Sequence, residues 1–298
     1  MLAAGALLVV LARALHRRRE LGAGLVPERE RRRGPLRVGG VGGWALREAR
    51  GAALGWAIVV LALTGLFGSM ISSLLRTMRE SVTTAELLEL LAGDASEVGL
   101  GGVFVGFLVA FLALLVLIAA VGLVLRWRGE EASGRLVNEL AAGAPRWRSL
   151  GARVAVALGV GAALLLAVGI VLGLLARDQL DDDAGLGWAM SAALGQLPAL
   201  VAAVGLAAVL VAVLPRLAPL IWAVVVWTGA VAWLGGLLRL PDGLMRTGLL
   251  QHGPQLAASG WPDWGEWLVG APLVLLGIGA TCLAAALVLV GRRDLRLG

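Results

Sequence analysis

Long apolar runs alternate with short charged segments along the whole chain. Six of the runs are unbroken and long enough to cross a bilayer core of about 30 Å at 1.5 Å of helix rise per residue. They cover 52–73, 101–125, 154–176, 188–214, 217–238 and 267–290. A seventh run, 1–15, reaches only about 22 Å and carries Arg13 near its end, which makes it a short span. Its positive cluster, Arg17-Arg18-Arg19, follows the apolar stretch, whereas a secretory signal peptide carries its charge before it. Pro198 predicts a kink inside the fourth run, and Pro215 and Pro219 bracket a tight turn after it.

The segment between the second and third runs, Arg126 to Arg153, is the most charged interruption, with six arginines and three glutamates. Within it, 130–142 reads as a short amphipathic helix. Glu130 and Glu131 suit a helix N-terminus, and Leu136, Val137, Leu140 and Ala141 share one stripe. Gly143 is placed to cap it, and Pro145 prevents its continuation. On periodicity alone this is either a surface-lying anchor or a docking element for a partner.

Composition agrees with a membrane protein: 59% of the 298 residues are hydrophobic, above the 45–50% usual for soluble domains. The mean hydropathy is +0.88. All 26 basic residues are arginine, so the P-loop lysine is absent and the chain holds no Walker-type ATP site of its own. The lone Cys282 excludes an intramolecular disulfide, and its place in an apolar run makes it a packing residue. The net charge of +6 does not indicate nucleic acid, because the arginines sit at membrane boundaries.

Their distribution sets a direction. The 17–50, 126–153, 216 and 292–296 segments carry 20 of the 26 arginines, and the alternate loops carry only Arg76, Arg79, Arg177, Arg239 and Arg246. By the positive-inside rule the first set faces the cytoplasm, which puts the C-terminus inside and the N-terminus outside a cytoplasmic membrane. The opposite loops are acidic, with Glu86, Glu89, Asp94, Glu97 and Asp181–Asp183, and read as solvated loops. Trp44, Trp127 and Trp147 on one side, and Trp188, Trp261, Trp264 and Trp267 on the other, fall where aromatic belts form.

The interiors of the six runs contain no Asp, Glu, His or Lys. Ion-coupled transporters and intramembrane enzymes place ionisable groups at membrane depth, so both classes are disfavoured. Thr64, Ser69, Ser72, Gln196 and Thr228 are the most polar interior positions and read as helix–helix hydrogen-bonding residues. Gly102/Gly106 and Gly169/Gly173 are small-xxx-small pairs that permit close helix approach. His252, a lone loop histidine, reads as structural.

The order Glu130-Glu131-Ala-Ser-Gly-Arg135-Leu136, then Glu139-Leu140-Ala-Ala-Gly-Ala-Pro145-Arg146, then Trp147 and Arg153, resembles the first cytoplasmic loop of ABC exporter permeases. The nearest type is the actinobacterial group of polyketide-antibiotic exporter permeases, and the resemblance extends over 44–298. It implies an all-α polytopic bundle of six full spans plus the short N-terminal span. It also implies an amphipathic connecting helix at 44–51, with Trp44, Arg47 and Arg50. The 130–142 helix becomes the coupling helix, with Glu130, Glu131, Arg135, Leu136, Glu139 and Leu140 as ATPase-contact residues. The 242–266 stretch resembles the re-entrant region before the last span, and 291–295 the family's usual terminus.

Arg18-Arg19-Glu20-Leu21 echoes Arg292-Arg293-Asp294-Leu295, as in fused double permeases. On that likeness 1–15 is the last helix of a preceding half and 16–43 an Arg/Gly-rich linker, so the chain is a split or partial version of a longer protein. The implied partners are a dimeric ABC ATPase that binds the ATP, a second permease half or a second copy, the bilayer, and a lipophilic or antibiotic-like substrate. No cofactor is held by the chain itself. The competing expectation is a non-transporting membrane scaffold whose arginines bind anionic lipid or a cytoplasmic protein.

Overall fold

A computed structural model describes residues 40–80, 99–141, 143–177, 184–235, 238–254 and 262–292, all within one compact unit, Gly39–Gly298. The expected short span 1–15, most of the linker, the acidic clusters 86–97 and 181–183, and the terminal 293–295 lie outside the described residues.

Among the described residues every regular element is helical. In chain order they are α1 (Gly40–Glu80), α2 (Gly99–Ala132), α3 (Arg135–Ala141), α4 (Arg146–Arg177), α5 (Ala184–Leu194) and α6 (Leu197–Val213). They continue with α7 (Ile221–Leu234), α8 (Asp242–Met245), α9 (Trp264–Val269) and α10 (Ala271–Arg292). Among the described residues five helical stretches are long and apolar enough to cross a membrane: Gly40–Met70, Val105–Glu131, Arg146–Leu175, Gly185–Val213 and Ala271–Arg292. The fifth expected span, 217–238, is a shorter apolar helix, Ala218–Leu234. The protein is an all-α polytopic membrane bundle.

Three local boundaries differ from the sequence expectation. The 44–51 stretch is not a separate connecting helix but the first turns of α1, whose 41 residues extend about 61 Å, twice the bilayer core. The amphipathic helix does not begin at Glu130. Glu130 and Glu131 belong to the last turn of α2, which closes at Gly134 with φ +73°, and α3 starts at Arg135. Its far end follows the expectation, with Gly143 at φ +86° and its N–H bonded to the Leu140 carbonyl at 2.9 Å. In the fourth span the helix breaks one turn before the position of Pro198, at Gly195-Gln196. Pro198 has no N–H for the Leu194 carbonyl, and its ring would meet that carbonyl in an unbroken helix.

α2 and the α5–α6 span form the inside of the bundle, whereas α1 and α10 are largely exposed. In a bilayer burial between helices is not driven by the hydrophobic effect, so close packing must supply the attraction. The tightest crossing is between α6 and α10. A Cβ on Gly205 would stand 2.5 Å from the Gly279 carbonyl oxygen, and one on Gly279 would stand 2.7 Å from the Val201 oxygen. Gly169 and Gly173 do for α4 and α5 what their spacing predicts: their Cβ positions meet the backbones of Met190 and Leu186 at 3.3 and 3.1 Å. The surroundings of Gly102 lie outside the described residues.

Not every interior polar residue makes the expected cross-helix pair. Thr64 donates to the Val60 carbonyl of its own helix, and Ser69 to the Leu66 carbonyl. Gln196 Oε1 and Thr228 Oγ1 are buried with no hydrogen-bond partner, and the Ser72 side chain is outside the described residues.

Replacing Gly205 or Gly279 by alanine forces backbone against backbone and is expected to cost about 1–3 kcal/mol. Gly277→Ala on the same helix meets nothing within 4 Å and should leave stability unchanged or slightly higher. Thermal denaturation of the three variants in nanodiscs checks the contrast.

Candidate functional site: a buried charge knot at one end of the bundle

The chain brings α1, α2, α3 and α4 together at one end, and the side chain that does so is Arg153. It lies two turns inside α4 and is 6% exposed. Its Nη2 donates to carboxylates on three other helices: Glu48 of α1 at 3.3 Å, Glu139 of α3 at 3.1 Å, and Glu130 of α2. Its Nη1 donates to Ser149 Oγ at 2.9 Å and to Glu139 Oε1 at 3.4 Å. Ser149 Oγ in turn accepts the indole N–H of Trp127 at 3.2 Å, and Trp127 is 1% exposed. Arg153 Nε is buried without a protein partner. A small pocket with room for about one water is lined by Glu48, Arg126, Glu130 and Arg153 among others.

Local sequence explains each position. On α1, Ala45 and Ala49 turn inward one helical turn apart and carry the half-buried Glu48 with them, while Trp44, Arg47 and Arg50 stay exposed. On α3, Leu136 is 2% exposed and seats the helix on the core, and Leu140 packs beside it. This leaves Glu139 directed to Arg153. On α4, Pro145 opens the helix by accepting the N–H groups of Arg148 and Ser149, which sets Ser149 and Arg153 one turn apart on the buried face.

Three carboxylates converge on one guanidinium. Removing a partner from such a buried cluster leaves uncompensated charge and costs about 3–5 kcal/mol, whereas replacing all members with matched neutral groups is often tolerated. The cluster therefore fixes the relative positions of four helices more than it adds net stability.

The expected ATPase-contact residues separate into groups. Glu130, Glu139 and Leu136 point into the bundle, where Glu139 and Leu136 hold α3 in place and Glu130 ties α2 to Arg153. Glu131 and Leu140 are half-buried, and the Arg135 side chain lies outside the described residues. Ala141, Pro145, Trp147 and Arg148 are exposed at this end. Trp127 is buried rather than in an aromatic belt, and so is Trp188 at 8% exposure, while Trp44 and Trp147 are exposed as expected. Glu48, Ser149 and the role of Arg153 went unread in the sequence. The available signal was an arginine at the very edge of an apolar run, with a serine four residues before it.

At the other end His252 serves structure: its ring nitrogen contacts the Arg246 carbonyl at 2.9 Å, and its own carbonyl accepts the Trp267 indole N–H at 3.1 Å.

Arg153→Ala is expected to release α3. Amide hydrogen exchange over 135–141 should rise by at least tenfold, whereas the matched triple substitution Arg153→Met, Glu130→Gln, Glu139→Gln should keep most of the protection. Equal exchange in wild type and Arg153→Ala would show that the knot does not hold the helix.

Comparison with known proteins agrees with this architecture. Residues 39–291 match the family described as "Multidrug efflux system permease Rv1217c, C-terminal domain". The chain is 29% identical over 299 residues to the multidrug efflux system permease protein Rv1217c of Mycobacterium tuberculosis. The alignment takes in 99% of the chain and 53% of that relative, so the chain spans about half the relative's length. The matched region takes in the described α-helices, all but the last residue of α10, and the whole Arg153 knot, and the chain belongs to the family of the Rv1217c permease C-terminal domain.

Proposed function

We propose that the chain is the membrane-spanning permease subunit of an ABC exporter, with ATP bound and hydrolysed on a separate subunit. The observation that carries this reading is the tie from α3 through Glu139 and Arg153 to α1, α2 and α4. A short helix attached only by its loops would swing freely when pushed. One tied by buried charge moves its neighbours with it.

In this reading the knot lies at the cytoplasmic end, in line with the arginine distribution. The exposed rim around Ala141, Pro145 and Trp147 is the surface offered to the ATPase, and Glu130 and Glu139 transmit the push. A second permease half, or a second copy, completes the pore. The cargo is lipophilic or amphipathic, because no carboxylate, histidine or lysine lies in the apolar interiors of the spans to select for charge. The Mycobacterium relative's name, a multidrug efflux permease, supports broad selectivity.

Ala141→Trp enlarges the exposed end of α3 without touching the knot. Stimulation of ATP turnover in a co-expressed ATPase partner should fall at least fivefold, with the melting temperature of the permease unchanged. Undiminished stimulation and co-purification would remove α3 as the contact.

A further inference from the structure

Gln196 occupies a place that the proposed coupling does not explain. It lies about 16 Å along the helix from Gly185 at 1.5 Å per residue, close to the middle of the fourth span. It is 6% exposed, and its side-chain oxygen has no hydrogen-bond partner. Such an atom is destabilising when left unpaired, so its placement here calls for a reason.

Its surroundings are a helix discontinuity. The Gln196 N–H bonds back to Ala193 at 3.1 Å in a tightened turn, α6 resumes at Leu197, and Pro198 offers no N–H. Non-helical backbone from another part of the chain reaches the same depth. Pro254 packs on Gly195, and a Cβ on Gly253 would stand 3.0 Å from Gln196 Nε2. Leu249 and Leu250 of the preceding 3-10 turn are also buried. Irregular backbone at membrane depth is tolerated where it is packed in protein or borders a polar path, and broken helices are where transporters present polar groups to cargo.

We propose that the α5–α6 break is a cargo-recognition point at which Gln196 Oε1 accepts a hydrogen bond from an amphipathic compound bearing an N–H or O–H group. The 249–254 segment is the wedge that covers it when cargo is absent. This rests on the permease reading and narrows its substrate class. An apolar cavity alone binds by shape, whereas one carboxamide oxygen with no protein donor adds a preference for donor-bearing compounds.

The test is dye binding to the purified full chain in nanodiscs, followed by fluorescence anisotropy. Rhodamine 6G carries amino N–H donors. Rhodamine B ethyl ester is a cation of the same charge whose amines have none. Gln196→Leu should weaken rhodamine 6G binding about five- to tenfold, the loss of one hydrogen bond, and leave the ester within about twofold. Gln196→Asn, which keeps a shorter carboxamide, should lose less and covers the case in which the leucine variant fails to fold. Pro254→Ala thins the wedge and should tighten rhodamine 6G binding. Failure of the wild type to bind rhodamine 6G, or equal loss of both dyes in Gln196→Leu, or no loss of either, overturns the proposal. Unchanged or weaker rhodamine 6G binding in Pro254→Ala overturns the wedge. Binding needs no ATPase, so intact dye discrimination without ATP-driven efflux would count against the permease reading and not against this site.

Discussion

A guanidinium taken out of water must be surrounded by its counter-charges, and in this protein that requirement organises one whole end of the bundle. Arg153 cannot be satisfied by its own helix. Its partners come from α1, α2 and α3, at separations of 105, 23 and 14 residues along the chain. Each of those helices must arrive at a fixed depth and rotation for the cluster to close. Ser149 and Trp127 add neutral hydrogen bonds that hold the guanidinium plane, and Leu136 keeps α3 seated so that Glu139 stays within reach. Specificity of arrangement, more than net stability, is what such a cluster supplies.

The rest of the bundle is held differently. Between apolar helices in lipid, attraction depends on how closely backbones approach, and the chain uses glycine where the approach is closest. Gly205 and Gly279 let α6 and α10 touch backbone to backbone, and Gly169 and Gly173 do the same for α4 and α5. The bundle therefore has a glycine-packed middle and an ionic clamp at one end. In the proposed coupling, close packing in the middle lets a displacement at the clamp move helices as bodies rather than dissipate in side chains.

Much of this was legible in the sequence, and the failures have physical causes. Spans follow from apolar run length, so all six runs correspond to helices, although Leu217–Leu238 gives only a 17-residue one, Ala218–Leu234. Gly143 and Pro145 marked the end of α3 and the start of α4 because each has a local backbone reason. Gly134 was missed because a single glycine after two glutamates does not declare a left-handed turn, and so Glu130 was put on the wrong helix. Trp127 was read as a belt residue from its position beside arginines, but its indole is consumed by Ser149 inside the bundle. The knot itself is a long-range object. Glu48 and Arg153 look like ordinary boundary charges until α1 and α4 are laid side by side. Gln196 shows the reverse error, since its polarity was noticed but its lack of a partner belongs to three dimensions.

The central claim is mechanical: α3, the start of α1 and the start of α4 move as one body because Arg153 binds them. Spin labels at exposed Arg47 and Ala141, introduced through cysteine with Cys282 replaced, report the α1–α3 distance by pulsed electron spin resonance in the complex with the proposed ATPase partner. The account predicts one narrow distance that is the same with and without ATP, and a broad distribution in Arg153→Gln. A wild-type distance that changes with nucleotide, or a distribution that stays narrow in Arg153→Gln, would contradict it.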